Sequence, residues 1–200
     1  MTTARTLWLI DLVYLNAHFS SPTGGYNLTS TTPASKSSLL QNGLEEEGSL
    51  PIMNLKPGSD NALASPNGIV ASNLLLLSSY LGEASYRILA KRTIDAFAIE
   101  IVQHPFLFVS MLSAIVLEAL GVKSFVATGD AVVHQLGGFG RTVVRLHHKQ
   151  GHGWLLERNQ LLRGVELSDG EHNRVMICEA GTCRDLKDGE LDALLASEQT

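Results

Sequence analysis

The chain has 200 residues, with 15 Lys and Arg against 20 Asp and Glu for a formal net charge of −5, and 44% of its residues are apolar. A mildly acidic chain without a Lys/Arg stripe excludes a nucleic-acid-binding surface, and this length allows one domain with a sizeable core, or a domain plus a small appendage. The longest apolar run, residues 109–120, is broken by Ser113 and Glu118 and falls short of the roughly 20 residues a membrane span needs, so no membrane partner is expected.

Leu7 to Phe19 repeats its apolar residues on a helical period and predicts a first helix. Arg5 ahead of this stretch imitates a signal peptide, but Asp11 splits the apolar region and no small-residue cleavage site comes after it, so a cytoplasmic protein is expected. Pro22, Gly24 and Gly25 then break the chain, which sets residues 1–26 apart as an N-terminal helix and turn. Residues 27–54 hold a Ser/Thr-rich run and the acidic triplet Glu45, Glu46, Glu47, with too few apolar residues to pack. They read as a long flexible connection.

Residues 55–121 read as a helical region. Ser65 is an N-cap, Pro66 fits the first helical position, and Gly82 supplies a left-handed stop. Between them Ile69, Val70, Ala71, Leu74 to Leu77, Tyr80 and Leu81 cover most of the helix circumference, so this helix needs neighbours on at least two sides. Glu83 to Gln103 predicts a second, amphipathic helix that forms an antiparallel hairpin with the first, ended by His104-Pro105. Phe106 to Leu120 predicts a third, closed by Gly121. From residue 122 to 200 the period changes. Lys123 to Thr128, Thr142 to Leu146 and Arg174 to Cys178 read as strands, and residues 131–136, 153–163 and 189–196 as helices. That alternation suggests a small α/β C-terminal subdomain with a parallel sheet. The fold class is α+β, mainly helical.

The polar loop before the central helix is the leading site candidate. Helix N-termini present free N–H groups, and Asp60, Asn61, Ser65 and Asn67 beside them can hydrogen-bond the hydroxyls of a small carbohydrate; the competing reading gives them capping and turn-fixing roles. A paired-carboxylate mechanism needs a second acid facing Asp60, and Glu100 and Glu118, which a solvated helix face explains, are the available ones. His147, His148 and His152 lack a carboxylate or Cys at a fixed spacing, so no metal and no cofactor is expected. Gly137 to Gly140 lacks the Lys-Ser/Thr of a phosphate loop and reads as a turn. Cys178 and Cys183 are too far apart for a Cys-x-x-Cys motif. Two reduced thiols are the simpler reading, while a turn through Gly181 leaves a bridged redox pair open.

The runs SDNALASPNGIVASNLLLLSSYLGEASYRILAKRTIDAFA, QHPFLFVSML, VKSFVATGD and RVMICEAGTC resemble the C-terminal region of the spermatogenesis-associated, thioredoxin-domain-containing family, with the fungal members most similar, from about Gly24 onward. In that family a thioredoxin-like domain precedes a helical (α/α) toroid of the six-hairpin glycosidase type. The stretch around Asp60, Asn61, Ser65 and Asn67 is the most specific part of the likeness. No Cys-x-x-Cys motif is present, and too few helices for a closed ring. The resemblance therefore implies a partial toroid of helical hairpins from a fragment or degenerate member, linked to carbohydrate metabolism and not catalytic by itself. The alternative is a non-enzymatic interaction module. It would self-associate as a homo-oligomer, or dock on a partner, through exposed apolar helix faces.

Overall fold

The computed structural model describes residues 12–30, 55–128, 130–138, 140–146, 153–159, 162, 174–179 and 182–196. Helix α1 covers residues 12–19. It is followed by α2 (Pro66–Leu81), α3 (Ala84–Asp95), α4 (Ala98–Gln103), a 3-10 turn (Pro105–Leu107) and α5 (Val109–Leu120). Then come β1 (Lys123–Ala127), α6 (Asp130–Leu136), β2 (Arg141–Arg145), α7 (Gly153–Arg158), β3 (Val175–Glu179), β4 (Thr182–Asp185) and α8 (Asp188–Ala196). The class is α+β. The chain divides into two compact units, residues 1–71 with 89–114 and residues 72–88 with 115–200. The start of the expected first helix, most of the expected connection 27–54 and the three histidines 147, 148 and 152 lie outside the described residues.

The bounds of α2 arise from local chemistry. It begins at Pro66 after Ser65 and stops at Gly82, whose φ of 68° is left-handed and costs a residue without Cβ nothing. Ala71, Leu74, Leu75 and Leu81 are buried on it, and Leu76, Leu77 and Tyr80 half-buried, as its nearly all-round apolar surface requires.

In the first unit, the single helix expected over Glu83 to Gln103 is instead two. The chain breaks at residues 96–97, where the Phe97 N–H donates to the Ile94 carbonyl rather than four residues back. The break turns the Phe97 ring inward, where it is 5% exposed and lies 6.4 Å from the Phe108 ring, tilted by 44°. Burying an aromatic of this size contributes about 2–3 kcal/mol, more than the hydrogen bond that helix continuity would add. The third expected helix is likewise preceded by the 3-10 turn that Pro105 starts, so that α5 proper begins at Val109.

The second unit holds a four-stranded sheet in the order β2-β1-β3-β4. The expected parallel sheet is corrected to a mixed one. Only β1 and β2 are parallel, whereas β3 runs antiparallel to β1 and β4 antiparallel to β3. Short runs of apolar residues mark strands without marking their direction, and β4 (TCRD) is too polar to be marked at all. Period-two alternation gives the sheet two faces. On one, Phe125, Ala127, Val175 and Ile177 pack with Leu136, and Val133, Leu186, Leu191 and Leu194 close around them. The other carries Ser124, Val126, Thr142, Val144, Met176 and Cys178, in register across the strands. The edge strand β4 is held further by a bidentate ion pair from Arg174 to Asp185, at 2.5 and 2.7 Å.

Candidate functional site

The loop before α2 is built around one carboxylate. Asp60 Oδ1 accepts the Ser65 N–H at 2.7 Å and the Ser110 hydroxyl at 2.5 Å, and Oδ2 accepts the Ser110 N–H at 2.7 Å. Ser65 is the N-cap of α2 and Ser110 the second residue of α5, and neither helix carries an acid in its first turn. Asp60 therefore supplies negative charge to the amide end of α5 from 50 residues away, while it fixes the N-cap of α2. Ser65 Oγ donates to the Pro57 carbonyl at 2.9 Å and accepts the Gly68 N–H, the bond expected of an N-cap. Asn67, fully buried, accepts the Tyr26 N–H at 2.7 Å and donates to the carbonyls of Tyr26 and Pro57 at 3.0 and 2.9 Å. Gly68 permits the approach to α5: a Cβ there would lie 2.2 Å from Ser110 Oγ and 3.0 Å from the Met111 amide nitrogen.

The four residues singled out by sequence thus divide. Asp60, Ser65 and Asn67 bind their own chain, with the Asp60 carboxylate engaged by the Ser110 hydroxyl and the amides of Ser110, Ser65 and Val109, and Asn61 alone faces solvent. Burial pushes the Asp60 carboxyl up, but the Ser110 hydroxyl and the amides of Ser110, Ser65 and Val109 pull it down further, so that it ionises below its ordinary value. A depressed folded-state pKa contributes stability above the unfolded carboxylate value, about 3.9, and that contribution disappears as pH falls through the folded value. Asp60→Asn is expected to cost about 1–2 kcal/mol at pH 7 after solvent screening, and to flatten the loss of stability between about pH 4 and lower pH. Urea midpoints at about pH 7 and about pH 3 test this; parallel losses in wild type and variant would refute it.

Cys178 and Cys183 sit directly opposite each other on β3 and β4, with Cα atoms 4.0 Å apart, and are joined as a disulfide. The reading as two reduced thiols is therefore corrected. The antiparallel register of β3 and β4, which also pairs Glu179 with Thr182, sets the two positions opposite each other.

Among the described residues, each unit carries a cleft. That of the second unit, about 430 Å³, has Leu75, Leu117 and Val122 as its apolar wall and the Cys178 side of the disulfide at its edge. Ser79 Oγ makes a short hydrogen bond to Ser124 Oγ, which bonds Thr142 Oγ1 at 2.8 Å, a row of three hydroxyls across helix and sheet. Arg87 and Glu118 pair at the rim at 3.0 Å. The cleft of the first unit, about 380 Å³, is lined by Asn16, Ser20, Ser21, Tyr26 and Arg92 among others. Neither cleft brings two carboxylates together: Glu118 is committed to Arg87, and Glu100 is exposed on α4. No group of three His, Cys, Asp or Glu among the described residues can hold a metal ion.

The first unit also exposes a run of large apolar side chains. Ile99, Val102, Phe106, Leu107 and Val109 face solvent, Val102 at 82% and Phe106 at 72%, while Ile101 and Phe108 between them and Met111 just after them are buried. The loop residue Leu63 is exposed as well, in a segment that Asp60 ties to this run through the hydrogen bond from its N–H to the Leu107 carbonyl.

Sequence reasoning missed Ser110, Tyr26, Asn16 and Arg92. The one signal for Ser110 was a helix start with no acid of its own in the first turn, which leaves the amide end in need of a distant partner. No helix among the described residues is long and apolar enough to cross a membrane. No protein-family model, curated protein or solved structure matches this chain.

Proposed function

We propose that the protein is a non-catalytic interaction module that pairs with a second copy of itself through the apolar face of residues 99–109. The observation that carries this reading is the solvent exposure of Ile99, Val102, Phe106 and Val109 on consecutive turns. A side chain of this size left in water forgoes about 1.5–3 kcal/mol, and contiguous patches of this kind mark protein contacts. The partner is chosen by charge. From Thr93 to Val122 the chain has no Lys or Arg, and Glu100 is the one acid within the face itself. Nothing there selects a charged partner, whereas a two-fold contact requires only that an apolar surface meet its own copy. That the polar groups at the head of α2 bind within the chain, with no paired carboxylates in either cleft, favours association over catalysis.

Sedimentation velocity on the full chain tests the proposal. Wild type is expected to shift from monomer to dimer across the micromolar range, and Val102→Asp and Phe106→Asp, both at exposed positions, to remain monomeric with unchanged helix content. A wild-type monomer up to millimolar concentration would overturn it, as would dimers that survive both substitutions.

A further inference from the structure

We propose that the Cys178–Cys183 bridge is a redox-active disulfide, opened by a low-molecular-weight thiol, with Ser124 placed to stabilise the Cys178 thiolate that leaves. One register line crosses all four strands: Thr142 on β2 pairs with Ser124 on β1, Ser124 with Cys178 on β3, and Cys178 with Cys183 on β4. Residues opposite one another in a sheet share a face, so the disulfide continues a row of hydroxyls. Ser79 of α2 joins that row through its bond to Ser124 Oγ, which also bonds Thr142 Oγ1 at 2.8 Å, and in both bonds either oxygen can donate. When Ser124 accepts from both neighbours, its own hydrogen is left for the next residue in the line, Cys178. The two accepted bonds polarise that O–H further. Charge does not compete with it. Arg87 and Glu118, which line the cleft beside Cys178, pair with each other, and Arg184 and Asp185, next to Cys183 on β4, pair with Glu190 and Arg174.

Burial gives the two sulfurs different roles. Cys183 is partly exposed on β4, the last strand in the order, whereas Cys178 is 6% exposed on the inner strand β3. An incoming thiolate therefore reaches Cys183 Sγ and forms the new S–S bond there. The bridge breaks, and its electron pair leaves on Cys178 Sγ, which accepts the Ser124 hydrogen bond until solvent supplies a proton. A second thiol attacks the sulfur of the first in the mixed disulfide and releases Cys183. In sum two small thiols become one disulfide, and their two electrons and two protons make two cysteine thiols. The fold survives this exchange. The bridged residues are five apart, so the loop they close is short and constrains the unfolded chain less than a long one, and β3 and β4 remain paired at four positions. The freed Cys178 lines the cleft of about 430 Å³ beside Ser79 and Ser124, where a small reagent can meet it.

The test equilibrates the full chain in mixtures of reduced and oxidised glutathione, quenches it in acid and counts its thiols by mass spectrometry. The bridge is expected to be half reduced within that range with its circular dichroism unchanged, and the trapped glutathione to sit on Cys183. Alkylation by iodoacetamide of the lone thiol in Cys183→Ser should show Cys178 ionising below the ordinary thiol value of about 8.5. Ser124→Ala should move that midpoint up, and should slow reduction of the intact bridge about fivefold. A bridge that stays oxidised in excess reduced glutathione until the chain unfolds would overturn the proposal, because a purely structural disulfide behaves in that way. So would glutathione trapped on Cys178, or a midpoint that Ser124→Ala leaves in place. If Ser124→Ala loses sheet content, the profile of Cys183→Ser decides, and a midpoint at or above about 8.5 overturns the proposal.

Discussion

Replacing Asn67 by alanine is expected to cost about 3–5 kcal/mol, a large share of the roughly 5–15 kcal/mol that holds a typical domain folded. The amide is fully buried and makes three hydrogen bonds, to the N–H and carbonyl of Tyr26 and to the carbonyl of Pro57. Alanine leaves the Tyr26 N–H with no acceptor in a buried position, at about 1–3 kcal/mol for that group alone, and removes both donors from the two carbonyls. Asn67→Asp keeps an acceptor for Tyr26 but turns a carboxylate oxygen on two carbonyls, so at neutral pH it should be no milder. Ser65→Ala, which loses the cap to the Gly68 N–H and a donor to a Pro57 carbonyl that Asn67 still serves, should cost only about 1 kcal/mol. Urea unfolding of the three variants gives the order. If Asn67→Ala unfolds within about 0.5 kcal/mol of wild type, the head of α2 is not a fold-fixing knot, and its polar groups are free for a ligand.

That knot also shows which features the sequence could carry. Ser65, Pro66 and Gly82 act within a few residues of themselves, so the ends of α2 are legible from residue types alone. Asp60 and Asn67 stand out for the same reason, as polar residues beside a helix start. Their partners do not stand out, because Ser110 is 50 and Tyr26 is 41 residues away, and only the fold brings them within hydrogen-bond reach. The break at Phe97 is of this second kind. The helical period runs through it undisturbed, and the ring leaves the helix because Phe108 offers a buried partner. The mixed sheet and the Cys178–Cys183 bridge likewise depend on how β3 returns beside β1 and on the register in which β4 pairs with β3. Strand propensity specifies neither. The exposed face of residues 99–109 was legible only as a general surplus of apolar helix surface, since which residues remain outside depends on the break at Phe97 and the 3-10 turn after His104.

Phe125→Ala should be as damaging to the second unit as Asn67→Ala is to the first, at about 3–5 kcal/mol, and for a different reason. Phe125 is fully buried and stands opposite Ile177 in the register of β1 and β3. It packs with Ala127, Leu136 and Val175, and the Arg141 guanidinium lies over its ring at 5.5 Å. Truncation removes the transfer energy of the ring, leaves a cavity that short strands held by their own ladder cannot collapse into, and deprives Arg141 of a cation–π contact of about 0.5–1 kcal/mol. Phe125→Leu, which keeps most of the volume, should lose about 1.5 kcal/mol or less. The sheet makes this pair informative beyond stability. Ser124 points to the opposite face, toward Ser79 and Thr142, so Phe125→Leu should leave that hydroxyl row and its cleft in place while it loosens the core behind it. Thermal or urea unfolding measures the first effect. Hydrogen exchange of the β1 and β3 amides measures the second: protection should fall in Phe125→Ala and persist in Phe125→Leu. Loss of less than about 1 kcal/mol in Phe125→Ala would mean that this side chain is not at the centre of a packed core.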